Sequence, residues 1–319
     1  MTLAQSQRQR LPPELILHII ESLLPPNEAA ILPASSSATK TLISFTLVSR
    51  STYDFASRLL RQRYMHIDSS RRLSLVLLSI PEPPLATLPP TFSLKCITSL
   101  YLSPFGKTLD DKPLALWVRE LFCEVCMTLR RLVVDLPLDT LSAYDDHLDI
   151  RPTLLDGFSR LTKLEELVFL RHFPGSMVKP TSDTVDRWSL WPQLKRVVLF
   201  TAPVDSHWLW YDIASSHFLR EVVLVRPQNL AGTNIKEMLR NEWDSNSILI
   251  PRQVQVTLAD VENDLAEVLT TRWAEYDPTE MVVIKEYYVP TSFYGDDDTA
   301  TLCCDWVKAA ALRGTIWNW

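Results

Sequence analysis

Glycine is scarce: the 319 residues hold 6 glycines against 22 prolines. Phosphate-binding loops need glycine wherever backbone closes on phosphate, so a nucleotide-dependent α/β enzyme fits poorly. Gly106-Lys107-Thr108 has the ending of a P-loop, but Tyr101 stands where its first glycine belongs. Cysteine is sparse too, and five in a chain this long make no disulfide framework. Long apolar runs are missing: stretches such as Leu15–Ile20 fall far short of the ~18 residues of a membrane span. There is no Asn-x-Ser/Thr acceptor, and the opening MTLAQSQRQR lacks an apolar secretory stretch. Together these predict a cytoplasmic or nuclear protein without a membrane partner. Positive charge is not in surplus either: 32 Lys and Arg against 38 Asp and Glu give a net −6, which argues against a nucleic-acid partner.

Catalytic and metal motifs are equally thin. Cys123-x-x-Cys126 has no second pair or His pair at zinc-site spacing, and it sits inside an apolar helical pattern. Cys303-Cys304 reads the same way, as structural thiols. Asp296-Asp297-Asp298 lacks the spaced carboxylates of a calcium loop. Neither Gly-x-Ser-x-Gly nor His-Glu-x-x-His occurs. No catalytic residue, cofactor or metal is therefore expected.

What is present is core material: 46% of the residues are hydrophobic, and a chain of this size buries roughly 75% of its unfolded surface. Charge is uneven, net +4 over residues 1–80 and net −9 over 241–319, which reads as solvated faces. Leu11-Pro-Pro-Glu-Leu15 opens a helix: proline suits the first position, and Glu14 meets the positive end of the helix dipole. Leu15, Ile16, Ile19, Ile20 and Leu23 recur at helical spacing until Pro25-Pro26 ends the run. Residues 27–40 have loop composition, polar and Ala-rich, and are expected to loop out. A second apolar stretch runs from Thr41 to Val48. Ser51 with Asp54 predicts a capping box for a third helix, and Asp68-Ser69-Ser70 predicts the N-cap of a fourth, from Arg71 to about Ile80.

Leu11-Pro-x-Glu-Leu-x-x-x-Ile19, a Leu-rich second helix and Val48-Ser49-Arg50 resemble, in that order, an F-box. The resemblance covers residues 10–56. It implies three helices docking on the Skp adaptor of a Skp–cullin–F-box ubiquitin ligase. The contact residues it implies are Leu11, Pro12, Glu14, Leu15, Ile19, Leu42, Phe45, Leu47, Val48 and Arg50. Three departures stand out: a first connection longer by about a dozen residues, Ser49 where the family commonly has Cys, and Thr52 where it commonly has Trp.

Beyond the proline-rich PEPPLATLPP at 81–90, a pattern Leu-x-x-Leu-x-Leu recurs with Ile and Val allowed. It begins at Ile97, Leu129, Leu164, Leu194 and Leu219, at intervals of 32, 35, 30 and 25 residues. Helical stretches are expected at Leu114–Met127, Asp183–Leu190, Val204–Ser215 and Asn234–Trp243. A short parallel strand followed by a helix, repeated, resembles a degenerate leucine-rich-repeat solenoid. A doubly wound α/β sheet is the alternative. Gln253–Leu258 and Met281–Val289 predict further strands, and Thr301–Leu312 a last helix ending at Gly314. Val-Pro-Thr-Ser-Phe-Tyr-Gly-Asp and the Asp-Trp-Val-Lys-Ala-Ala-Ala-Leu-Arg-Gly ending are similar to filamentous-fungal F-box proteins. Trp306, Ile316 and Trp317 are expected to close the open end of the repeats. Trp208 and Trp210, two apart on one helix, cannot share a face, so one of them is a candidate for exposure.

The fold class expected is α+β / α/β: an F-box helical domain (10–66), a linker helix and Pro-rich connector (67–90), leucine-rich-repeat-like repeats (91–250) and a C-terminal capping region (251–319). The function this implies is a non-catalytic substrate adaptor. Its partners would be the Skp adaptor, a cullin held through it, and an unidentified target protein. The alternatives are a Skp-binding scaffold outside a cullin ligase, and a hydrolase or transferase on an α/β sheet.

Overall fold

A computed structural model describes residues 11–63, 65–79, 94–141, 146–172, 190–246, 249–261, 276–290 and 298–319. The protein is α/β, with a single eight-stranded sheet. The strands are β1 (Met65–Ile67), β2 (Ser99–Leu102), β3 (Arg131–Val134), β4 (Glu166–His172), β5 (Arg196–Phe200), β6 (Glu221–Val225), β7 (Val254–Asp260) and β8 (Val282–Tyr288). All neighbours pair in parallel, and the spatial order follows the chain from β1 to β8. The order never reverses, so the switch point that defines a doubly wound sheet is absent from the described strands.

Parallel neighbours need a long crossover, and in five of the seven connections a described helix supplies it: α4 (Ser70–Leu78), α5 (Lys112–Val125), α6 (Ile150–Ser159), α7 (His207–Ser215) and α8 (Ile235–Ser245). Their starts carry local signals. Ser69 accepts from Arg72 N–H, Asp111 from Leu114 N–H at 2.9 Å, and Asn234 from Glu237 N–H. The Leu-x-x-Leu-x-Leu pattern explains why these helices share one side. Alternate strand residues face opposite ways, so Leu100 and Leu102, Leu132 and Val134, or Val222 and Leu224 join the helices in one large core. The residues between them, Tyr101, Val133, Val168, Val198 and Val223, point to the other face, hereafter the inner face.

The inner face is covered differently, by the C-terminal helix α9 (Thr299–Arg313). Cys303, Val307, Ala310 and Ala311 bury against the strand residues, joined by Ile316 and by Ile31 from the N-terminal region. Asp298 caps the start of α9 and Gly314 (φ +70°) closes it in the left-handed conformation.

The helical head comprises α1 (Pro13–Ser22), α2 (Ser37–Phe45) and α3 (Arg50–Arg63). Its own core is small: Ile20, Leu42, Ala56 and Leu59, with Ile16, Leu17, Phe45 and Phe55 half-buried around them. Among the described residues no helix is long and apolar enough to cross a membrane.

Several expectations are corrected. The sheet begins at Met65, inside the segment assigned to the head; a three-residue strand without the Leu-x-x-Leu entry left no pattern to read. β7 and β8 extend the same sheet, so the segment expected to cap the repeats contributes two further strands to it. Ile316 and Trp317 pack on the inner face of the sheet; Ile316 is fully buried and Trp317 partly so, and Trp306 stays 36% exposed. The run Ala309-Ala310-Ala311 allows the helix to approach flat β-structure closely. Residues 27–31 do not loop out: Ile31 is fully buried, its N–H donates to Leu312 C=O at 2.7 Å, and the Asn27 amide donates to the carbonyls of Arg313 and Gly314. Helix α6 was missed, although Ile150, Leu154 and Phe158 mark its buried side. Residues 81–90, 183–189 and Asp296-Asp297 lie outside the described residues.

Candidate functional site: the outward side of the helical head

Pro13 at the first turn and Glu14 beside the dipole start α1, and its apolar residues cover more than one side. Ile16, Leu17 and Ile20 turn toward α3 and the small core. Leu11, Leu15 and Ile19, at i, i+4 spacing, do not: they are 58%, 50% and 43% exposed. The same happens at the end of α2 and just beyond it, where Ile43, Leu47 and Val48 are exposed, Leu47 at 85%. One exposed leucine needs no explanation. Six large aliphatics on a three-helix head stand exposed, without cover among the described residues.

Of the ten residues singled out from the sequence, Leu11, Pro12, Glu14, Leu15, Ile19, Leu47, Val48 and Arg50 are exposed. Phe45 is half-buried. Leu42 differs from these: it is completely buried in the small core with residues of α1 and α3, so it shapes the head and presents no exposed surface. Ile43, one residue on, was overlooked; its i, i+4 relation to Leu47 was the available signal.

The start of α3 also differs from expectation. The capping box is formed by Ser49 and Thr52, not by Ser51 and Asp54. Thr52 N–H donates to Ser49 Oγ at 3.2 Å, and Ser49 N–H donates to Thr52 Oγ1 at 3.0 Å. Thr52 is buried. The two departures from the F-box pattern at these positions are thus partners in a single helix-starting device.

The inner face of the sheet is the other place where polar groups gather. Asp135 sits beneath α9 and accepts from Tyr101 Oη–H (2.8 Å), Arg171 Nε–H (2.6 Å) and Lys308 Nζ–H (3.1 Å). Burial alone would raise the Asp135 carboxyl. The hydrogen bonds from Arg171 and Tyr101 and the nearby positive charges overcome it and hold the carboxyl below the usual carboxylate range. Burial pushes the Tyr101 phenol up to about 12. One turn lower, the in-register positions alternate in sign: Arg131, Glu166, Arg196, Glu221 and then Gln255. Glu166 pairs with Arg131 at 3.2 Å and with Arg196, and accepts from Trp317 Nε1–H at 2.9 Å. Arg131 donates to Ala311 C=O, fixing α9 to the sheet. Asp135, Tyr101, Arg171, Lys308, Arg131, Glu166 and Arg196 are each engaged by another part of the same chain, which gives this network a structural role.

The vicinal pair Cys303 and Cys304 is held in the thiol form by burial. Burial pushes Cys303 up to about 12 and Cys304 to about 11. Among the described residues, no group of three or more His, Cys, Asp or Glu is arranged to hold a metal ion. Trp210 is buried and donates to Val204 C=O, while Trp208 is half exposed on the other side of α7. No protein-family model matches the chain, and no curated protein matches it.

Proposed function

We propose that this chain is the substrate-recognition adaptor of a Skp–cullin–F-box ubiquitin ligase. The finer architecture proposed with it is an F-box head followed by a leucine-rich-repeat-like body. The observation that carries the reading is the exposed aliphatic set Leu11, Leu15, Ile19, Ile43, Leu47 and Val48 on the head, five of which the F-box-like order of motifs had marked. Burying each half-exposed aliphatic against a partner gains roughly 1 kcal/mol. Six of them supply a favourable term of the size that association must overcome. Arg50 and Glu14 lie exposed nearby and give the contact a polar rim.

The body supports the second half of the reading. Strands follow one another in chain order with helices on one side, as stacked repeats would require. The contacts of Asn27 and Ile31 with the end of α9 tie head and sheet together. A rigid joint suits an adaptor, which acts by holding a target at fixed geometry and raising its effective concentration at the transfer machinery. The chain itself would contribute no catalytic group. A Skp-binding scaffold without a cullin shares the same head and separates from the ligase reading by whether cullin is present in the purified complex.

The test is co-expression with a Skp adaptor and measurement of a dissociation constant. A 1:1 complex of sub-micromolar affinity, lost on Ile19→Asp in a folded protein, supports the proposal. A folded chain that forms no such complex overturns it.

A further inference from the structure

α9 covers the inner face unevenly. Its buried residues meet β2 to β6 and the far ends of β7 and β8, where Cys303 meets Asp260 and Trp306 and Trp319 meet Tyr287, and Trp317 and Ile316 close the lower edge near Glu166 and Arg196. At the starts of β6, β7 and β8 the inner face is open. A cavity of about 620 Å³ lies there, lined by His217, Arg220, Glu221, Arg252, Gln253, Gln255 and Val283.

The chemistry of this cavity is unlike the covered part of the face. Arg131 and Arg196 both meet Glu166. Arg220 and Arg252 meet no carboxylate among the described residues, although Glu221 shares the cavity. Arg252 donates instead to three neutral carbonyls, those of Ile213, Ala214 and Leu219, at 2.6, 3.0 and 2.8 Å. These bonds hold the guanidinium against the C-terminal end of α7 and use three of its five N–H donors, leaving two. Burial lowers its pKa to about 10, the signature of a positive charge taken from water without a compensating anion. Gln255 continues the ladder of charges one strand beyond Glu221 with a neutral amide.

From this arrangement we infer that the open end of the inner face is a binding site for a carboxylate-bearing peptide segment of a partner protein. Arg220 and the spare donors of Arg252 take the carboxylate. The amides of Gln253 and Gln255 offer both donor and acceptor to peptide backbone, Glu221 accepts from its N–H groups, and Val283 gives an apolar floor. The cavity, at about 620 Å³, is too large for a lone inorganic anion and has room for a short peptide segment. The inference rests on the adaptor reading only for its purpose, target capture. The site itself is independent of the head.

Its test uses the full chain without any Skp adaptor, so its failure and that of the adaptor reading remain distinguishable. The probe is an N-terminally fluorescein-labelled peptide Ala-Glu-Asp-Glu as the free acid, compared with its C-terminal amide and with the neutral Ala-Gln-Asn-Gln amide, read by fluorescence anisotropy. The free acid should bind at least about tenfold more tightly than the neutral peptide, a difference of about 1.4 kcal/mol. Arg220→Glu, at an exposed position that leaves the fold intact, should abolish that difference, and Gln255→Glu should weaken binding similarly. If the amide binds as well as the free acid, side-chain carboxylates are the ligand; if only the free acid binds, it is the chain terminus. Equal binding of the neutral peptide, or binding by Arg220→Glu and Gln255→Glu unchanged from the parent, overturns the site.

Discussion

The head and the sheet are made from the same residues, Leu, Ile and Val, and leave them in opposite situations. In the sheet, the two outward positions of every Leu-x-x-Leu-x-Leu copy are buried in the core shared with the crossover helices, and the position between them is buried on the inner face. In the head, α1 has apolar residues on two sides and a neighbour on one. A strand's apolar residues find cover within the chain because the crossover helices supply it. A short helix apolar on two sides exceeds what a three-helix head can bury. Exposed leucine in the head is therefore a property of its sequence pattern, and the stabilities of the two regions should respond differently to mutation.

The largest effect is expected in the body. Trp210→Ala removes a fully buried indole whose Nε1–H satisfies Val204 C=O. It should cost about 3–5 kcal/mol in denaturant unfolding, and a loss below about 1 kcal/mol would show that α7 is not part of the main core. Next is pH. The Tyr101 phenol is raised from 10.0 to about 12, so the folded state favours its neutral form. That stability is fully present below pH 10 and is lost as pH rises through the folded value, roughly 2–3 kcal/mol in all. Asp135, held low, works in the other sense: its contribution is present above the ordinary carboxylate range and fades as pH falls through the folded value. Unfolding free energy followed to alkaline pH, alongside tyrosinate absorbance, checks this; Tyr101→Phe should remove the alkaline loss.

The joint between the regions should be intermediate. Gly314 has φ +70°, and a Cβ there would lie 2.7 Å from the Asn27 amide and 2.8 Å from Ala29 Cβ. Gly314→Val should destabilise by about 2 kcal/mol and increase protease cleavage within residues 27–31. A smaller change is expected at the start of α3, where Ser49→Ala removes one side of the reciprocal cap and should cost about 1 kcal/mol without altering the sheet's near-ultraviolet signal.

How far the sequence discloses this structure depends on whether a feature is local. The strands at β2 to β6 are legible because each carries its own apolar spacing, and α5, α7, α8 and α9 because each has a cap or a run at helical period. Two features are not local. α9 has the same residues whether it closes an end or lies across a face; only the match between its alanines and the flat inner residues Val133 and Val168 decides. Likewise Ile31 reads as loop until Leu312 is beside it. The Ser51–Asp54 box was a near miss of two residues, because several Ser and Thr stand in a row and only packing selects Ser49 and Thr52. For the site, the i, i+4 aliphatics of α1 were legible, while the burial of Leu42 was not, because spacing alone does not say which stripe of a helix faces inward.

The measurement that tests the central claim most directly is the Skp-adaptor dissociation constant of the parent chain and of Ile19→Asp, with unfolding free energies for both. Ile19 is 43% exposed, so the substitution should change stability by no more than about 0.5 kcal/mol while weakening the complex at least about a hundredfold, or about 2.7 kcal/mol. Equal affinity of the two folded chains would contradict the account, and so would a large loss of stability with affinity unchanged, because the outward side of the head would then be structure and not contact.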